Sequence, residues 1–351
     1  SVAGIAATAM IPNHIFGHNL HNTSRPEEII LPTNNPSSIK ESIKFSVIGL
    51  NHGHIYGMVD ALLTGGGSLV AVYAREPELL QQFTKRYPKV KIAKSENEII
   101  EDNSIQLVAS AAIPVERAPI GIRVMKSGKD FMADKPGILT LEQFNEVKKV
   151  QKETKRIYSI MYSERLGNPA SVKAGELVSA GAIGKVVQTI GLGPHRMRPE
   201  SRPDWFFDPN MAGGILCDIG SHPCDQFLFY TNSKQADVNF SQIGNFNNTH
   251  NPEYQDFGDM SVRSPHATGY IRIDWFTPEG LGTWGDGRTF ILGTEGYIEM
   301  RKYIDIAGRQ GGNHLFLVNQ KETKYYDCSN IYMPYGEQLV NDVVHRTETA
   351  M

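Results

Sequence analysis

Residues 44–54 read KFSVIGLNHGH, a short apolar run that closes on a glycine and gives way to a polar turn. A helix-like segment follows around Ile55–Leu63 and stops at Gly65-Gly66-Gly67. SLVAVYA (68–74) reads as a second strand and PELLQQFTKRYP (77–88) as a second helix. Ser95 with Glu98 three residues on is a capping box for a short helix. IQLVASAAI (105–113), DFMADKP (130–136) and RIYSIMY (156–162) are further buried-type strands. Between them lie a helix over 116–128 and one that Thr140 and Gln143 cap and that runs to Lys152. Strands alternating with helices of this length predict βαβ units and a parallel sheet buried on both faces. With right-handed crossovers the sheet is doubly wound, and its ligand crevice lies at the carboxyl ends of the strands.

Gly49-Leu50-Asn51-His52-Gly53-His54 occupies the place where a dinucleotide fold carries G-x-G-x-x-G, with only the first glycine in register. Asn51 suits a turn because asparagine visits left-handed backbone conformations readily. His54 replaces the glycine that lets helix and strand approach, and Gly53 stands beside it to take part of that role. A plain tight turn accounts for the same residues. The second strand ends Tyr73-Ala74-Arg75 with no carboxylate at its tip, and an arginine there suits a 2′-phosphate, which favours NADP over NAD.

The chain has 351 residues, a formal net charge of −3 and 21% charged residues. That length suits two domains, and the near-balanced charge gives no basic stripe for a nucleic acid. No apolar run approaches the roughly 20 residues a membrane span needs. Cys217, Cys224 and Cys328 form neither a disulfide framework nor a zinc motif. Residues 1–12, SVAGIAATAMIP, then a polar stretch, resemble the core and exit of an export signal, so a periplasmic location is one expectation; an apolar arm on a domain surface is the other. Residues 1–40 are read as an arm and linker, 41–165 as the nucleotide-binding domain, and 166–351 as a second domain. The final segment, Glu337 to Thr349, reads as a helix, and a truncated C-terminus is expected.

In that second domain a helix is expected from Ala170 to Ser179 and a strand over Gln188–Leu192. An Arg- and Pro-rich loop follows (194–209), then strands over 237–246, 266–276, 288–293, 296–301, 314–319 and 323–328. NFNNTHNPEYQDFGD (245–259) reads as a long loop.

At this point the chain resembles the Gfo/Idh/MocA oxidoreductases, the group of glucose–fructose oxidoreductase and inositol dehydrogenase. The likeness spans about residues 42–330. It rests on Asp134-Lys135-Pro136 in place of the family's Glu-Lys-Pro, and on the glycine-led run Gly213-Gly214 through Asp218 to His222. GAIGKV (181–186) and GTEGYIEM (293–300) add to it. The resemblance implies an α/β chain: a Rossmann-type doubly wound parallel sheet, then an α+β domain with a large, mostly antiparallel open sheet. It further implies a homo-oligomer, dimer or tetramer, and a small carbohydrate or cyclitol substrate.

Asp218, His222 and Asp225 stand at i, i+4 and i+7, so one helix would carry them on one face, with Pro223 bending it locally. Oxidising a secondary alcohol needs a base for the hydroxyl proton and a cation for the developing oxyanion. His222 suits the first task and Lys135, leaving a strand at its carboxyl end, the second. Asp218 would orient hydroxyls or the imidazole, and the family resemblance gives these three residues the same roles. The cofactor is expected against Gly49, Asn51, His52, Gly53, His54, Arg75, Pro114, Asp134 and Lys135. The substrate is expected against Tyr162, Arg165, Arg202, Trp205, Asp218 and His222, with the indole under a sugar ring. Asp218, His222 and Asp225 are also a conceivable metal set, with His195 and His266 elsewhere, but no second cluster has ligand spacing and no metal is expected.

The leading expectation is an NAD(P)-dependent oxidoreductase acting on a secondary hydroxyl of a sugar, glycoside or cyclitol. An exported chain would instead favour a glycoside hydrolase or lyase that recycles a tightly bound NAD(P). A non-catalytic nucleotide- or sugar-binding regulator is the remaining alternative, favoured by the altered glycine turn and opposed by intact Lys135, Asp218 and His222.

Overall fold

The computed structural model describes residues 42–350. The arm expected over 1–40, with its signal-like start, lies outside the described residues. The first sheet contains β1 (Ile43–Ile48), β2 (Gly67–Tyr73), β3 (Lys91–Ile92), β4 (Leu107–Ser110), β5 (Asp130–Asp134) and β6 (Tyr158–Met161). Their order is β3-β2-β1-β4-β5-β6 and every pairing is parallel. The order reverses between β1 and β4, which opens a crevice at their carboxyl ends. β4 and β5 are buried at every residue, as strands covered by helices on both faces must be. Ser95 and Thr140 accept from the backbone N–H of Glu98 and Gln143, as the two capping boxes predict.

The second sheet contains β7 (Val186–Pro194), β8 (Asp237–Gly244), β9 (Phe257–Arg263), β10 (Thr268–Asp274), β11 (Arg288–Gly293), β12 (Gly296–Arg301), β13 (His314–Asn319) and β14 (Thr323–Asp327). Its order is β14-β13-β12-β11-β7-β10-β9-β8, antiparallel except where β7 meets β10. Helices Pro169–Ser179 and Ser221–Thr231 cover one face; Ala170, Ala174 and Tyr230 share a core with Ile291, Ile298 and Leu315.

Four expectations change. First, β9 begins inside the stretch read as a long loop. Its glycine and aspartate hide the alternation, yet Gly258, Met260 and Val262 are buried, while Asp259 accepts from the Tyr270 hydroxyl at 3.0 Å. Second, the helix meant to carry Asp218, His222 and Asp225 is two helices, Gly214–Asp218 and Ser221–Thr231. A Cβ on Gly220 would lie 2.5 Å from the Leu216 carbonyl oxygen, so the joint needs glycine. Pro223 then falls in the first turn of the second helix, where no intrahelical N–H bond is required, and bends nothing. Third, Cys217 and Cys224, whose place on an apolar helix reads in the sequence as that of small core residues that do not pair, are free thiols but only half-buried.

Fourth, the last helix, Tyr335–His345, leaves the second domain. Tyr335, Leu339, Val340 and Val343 join the core of the first, with Phe45, Val47 and Leu62. Two glycines make that docking possible. A Cβ on Gly336 would stand 1.9 Å from the Ala61 carbonyl oxygen, and one on Gly65 would stand 2.4 Å from the Gly336 carbonyl carbon. Arg346 then donates to both oxygens of Asp130, at 2.7 and 2.9 Å. Gly336→Ala must push two backbones apart, and a loss of about 2–3 kcal/mol in urea unfolding is expected, within the overpacking range. An unchanged midpoint would show that the helix docks loosely.

Candidate active site

The crevice begins at the turn after β1. Gly49 has φ +84°, and a Cβ there would meet the Ala112 Cβ at 2.5 Å, so this glycine is required twice over. Its N–H donates to Tyr73 O at 2.8 Å and its carbonyl accepts from Ala111 at 3.3 Å, tying β2 and the end of β4 to the turn. Asn51 is not in the left-handed region; its side chain donates to Glu76 Oε1 at 2.8 Å. Gly53 precedes the helix His54–Thr64 in ordinary right-handed conformation, and Pro114 opens the helix Pro114–Lys126 across the crevice.

Arg117, on that second helix, is 1% exposed. Its Nε donates to Ala112 O at 2.7 Å and its Nη1 to Lys135 O at 2.5 Å. Nη2 stands 3.2 Å from Asp134 Oδ2. Burial opposes ionisation of Asp134, but His54, Arg117 and His52 around it hold its carboxyl well below the usual range. His52 Nδ1 and His54 Nδ1 lie 2.8 and 2.9 Å from its two oxygens. Burial pushes His52 down to about 4, so its ring is neutral at physiological pH.

Lys135 follows at the tip of β5, 5% exposed, and its Nζ donates to Asp218 Oδ1 at 2.6 Å. Burial raises the Asp218 carboxyl, yet the Lys135 ammonium overrides it and keeps the group below its ordinary value. This contact joins the two domains and brings together two of the three residues expected to do chemistry. His222 is 2% exposed and edge-on to Tyr162, ring centroids 6.2 Å apart. Its Nδ1 is buried without a hydrogen-bond partner, and the ring stands behind the residues that line the cavity beside Lys135. Burial takes it down to about 3.

Arg165 and Asp225 go elsewhere. They pair with each other at 2.6 and 2.8 Å, with Phe229 under the guanidinium, and Arg165 lines a different cavity. The conceivable metal set Asp218, His222 and Asp225 therefore does not converge. Arg75 sits at the tip of β2 as expected but is engaged by Glu116 at 2.8 Å, with Glu96 at 3.7 Å.

The second domain closes the crevice with aromatic rings. Lys135, Asp218, Arg202 and Trp205 line a cavity of about 150 Å³ together with His195 and Trp284. The chain has three tryptophans, and Trp205, Trp275 and Trp284 all line it. Arg202 donates to Met197 O at 3.0 Å and lies over the Phe206 and Trp275 rings, 4.6 and 5.1 Å from their centroids. His195 is held between Trp275 and Trp284, with Nδ1 3.1 Å from Gly193 O. A carbonyl can only accept, so Nδ1 carries the proton and Nε2 keeps a lone pair. Burial pushes this ring to about 4.

Arg117, His195, Glu76, Trp275 and Trp284 were not among the expected site residues. An arginine inside the buried stripe Ala118, Ile120, Val124 is a signal for the first. No local pattern marks Trp275 or Trp284, because folding alone brings them to Lys135.

Comparison with known proteins agrees with this architecture. The family profile for the GFO/IDH/MocA C-terminal domain matches residues 171–299. A protein of Erwinia carotovora atroseptica, known from a 1.25 Å crystal structure, is 44% identical, with TM-score 0.85 over 88% of this chain and 93% of that one. The NAD⁺-dependent scyllo-inositol 2-dehydrogenase of Bacillus subtilis strain 168 is 24% identical over 87% of this chain and 88% of its own length. Levoglucosan dehydrogenase bound to NADH and levoglucosan shares the fold, with TM-score 0.72 at 17% identity over 86% of this chain and 90% of its own. The paired sheets, the Asp134-Lys135-Pro136 exit and the extended match to the Erwinia protein lead to one assignment: the chain belongs to the Gfo/Idh/MocA family of oxidoreductases.

Proposed function

We propose that this chain is a nicotinamide-dependent dehydrogenase acting on a secondary hydroxyl of a sugar, glycoside or cyclitol. The observation that carries the reading is the Lys135–Asp218 pair, 2.6 Å apart, at the carboxyl end of β5 in an aromatic-walled cavity. The Bacillus and levoglucosan relatives, which act on a cyclitol and an anhydrosugar, support it. The crevice fits a dinucleotide by its place: it opens where the strand order reverses, at the carboxyl ends of β1 and β4 and beside the start of the helix His54–Thr64, with the Gly49 turn packed directly on Ala112. When bound, the nicotinamide supplies a hydride acceptor. Lys135 stabilises oxygen charge as the hydroxyl proton leaves, and Asp218 keeps the ammonium aimed. His222 takes the proton. His195, with its tautomer fixed by Gly193, accepts a hydrogen bond from a neighbouring substrate hydroxyl. Trp205, Trp275 and Trp284 offer faces to the C–H side of a ring.

The cofactor is NAD rather than NADP in this reading. Sequence alone set Arg75 against a 2′-phosphate, but Glu76, Glu96 and Glu116 line the same recess. One guanidinium among three carboxylates leaves a net negative field, which repels a phosphate and accepts ribose hydroxyls. The reading extends to a homo-oligomer through the open face of the second sheet, where Phe240, Leu292 and Tyr297 are each more than 40% exposed.

Denaturing the purified protein and weighing any released nucleotide, followed by titration with NAD⁺ and NADP⁺, tests the cofactor. NAD⁺ should bind at least about tenfold more tightly, equivalent to 1.4 kcal/mol. Glu116→Gln should narrow the gap by freeing Arg75. Failure to bind either nucleotide overturns the redox reading. With a polyol substrate in hand, Lys135→Met should lower kcat by about 10²–10³. Because burial holds His222 neutral to about pH 3, kcat should stay flat from pH 8 to 5. An acid limb near 6.5 would mean that an ordinary, solvated histidine is the base. Light scattering should give a dimer or larger, and Leu292→Asp should dissociate it.

A further inference from the structure

His52, His54 and Asp134 lie at the edge of the crevice and present three donor atoms to one point. One ring nitrogen of each histidine and a carboxylate oxygen all fall within 4.8 Å of one another, and Nδ1 is the nitrogen that each ring turns to Asp134. Bonds of about 2.0–2.2 Å to one ion keep its ligands inside that separation. Hydrogen bonding does not account for the cluster. His54 can donate to Asp134 Oδ1, 2.9 Å away, and the Lys135 N–H donates to the same oxygen at 2.8 Å. Oδ2 is different. It is buried and has no hydrogen-bond partner, and so is His52 Nδ1, although the two atoms stand 2.8 Å apart. They are too close to be indifferent and too far out of line to share a proton. Arg117 Nη2 approaches Oδ2 to 3.2 Å as its counter-charge, while Nε and Nη1 donate to the Ala112, Lys135 and Pro136 carbonyls. The guanidinium balances the carboxylate's charge, but Oδ2 and His52 Nδ1 are left as two buried polar atoms without an aligned partner, and a shared ligand would satisfy both.

We propose that His52 Nδ1, His54 Nδ1 and a carboxylate oxygen of Asp134 bind a divalent transition-metal ion of the zinc class. Two imidazoles and one carboxylate select such ions over magnesium or calcium, which take oxygen donors. Three protein donors leave at least one coordination position open. His52 and His54 line the crevice beside Lys135, so the open position faces bound ligand. The His52-Gly53-His54 turn, whose last residue stands at the third family glycine, thus acquires a function of its own, independent of the dehydrogenase reading.

The test needs neither nucleotide nor substrate. The full chain is stripped with a chelator and dialysed against Zn²⁺, and separately against Co²⁺ for its visible absorption. One equivalent of Zn²⁺ per chain is expected, with a Co²⁺ d–d band. Both should weaken at least about 100-fold in His52→Ala and in His54→Ala. These side chains are 30% and 37% exposed, so both variants should retain the parent circular dichroism, which is checked in parallel. Less than one tenth of an equivalent bound by the parent overturns the proposal. So does stoichiometric binding that survives both substitutions, which would place the ion elsewhere. Nucleotide affinity is measured separately, so loss of the metal site and loss of the dehydrogenase reading register as different results.

Discussion

A single buried guanidinium organises the crevice. Arg117 enters the core from the helix that follows β4 and donates to the carbonyls of Ala112, Lys135 and Pro136. Burial penalises its charge, and Asp134 is the first counter-charge to offset that cost. The arginine thereby fixes the end of β4 relative to the end of β5, the two strand tips between which a ligand must enter. Lys135 is aimed into the cavity because its own carbonyl is held behind it. Removing one member of such a network leaves the others as uncompensated buried charges, a far larger penalty than a lost surface pair.

The second constraint is how the domains meet. The chain leaves the first sheet after β6, builds the second sheet, and returns with the helix Tyr335–His345 to finish the first core. Backbone-to-backbone contact at Gly65 and Gly336 and the Arg346–Asp130 pair anchor that return. The second domain is therefore held at both its ends by the first. Across the gap, Lys135 and Asp218 form a contact that neither domain could make alone. The same geometry sets Trp275 and Trp284 of the second domain in one cavity with Lys135 at the tip of β5.

Electrostatics at the site follow from enclosure. Three imidazoles in and behind the crevice, His52, His195 and His222, are pushed to about 4, 4 and 3 by burial, so neutral rings surround the Lys135–Asp218 pair. Neutral imidazoles are acceptors, and a polyol presents donors. The arrangement differs from a glycine-rich phosphate loop, where backbone N–H groups supply the polarity. Here the first glycine alone is retained, at the position where φ is +84° and a Cβ would collide with Ala112.

The alternation of apolar strands and capped helices was enough to read the parallel sheet, because a strand buried on both faces needs a continuous apolar run and βαβ connections repeat locally. The capping residues Ser95 and Thr140 were legible for the same reason: the bond each makes spans three residues. Lys135, Asp218 and His222 could be named from motifs and from a family resemblance. Tertiary structure decided the rest. It broke the Asp218–His222–Asp225 helix at Gly220, since only there does a glycine meet the Leu216 carbonyl, and it drew Asp225 to Arg165. It moved the last helix into the first core, where a contact between Ala61 and Gly336 has no trace in either local sequence. It engaged Arg75 with glutamates, changing what that residue offers a cofactor. Local periodicity and turn chemistry depend on neighbours in the chain, whereas a side chain's charge partners and cavity depend on residues a hundred positions away.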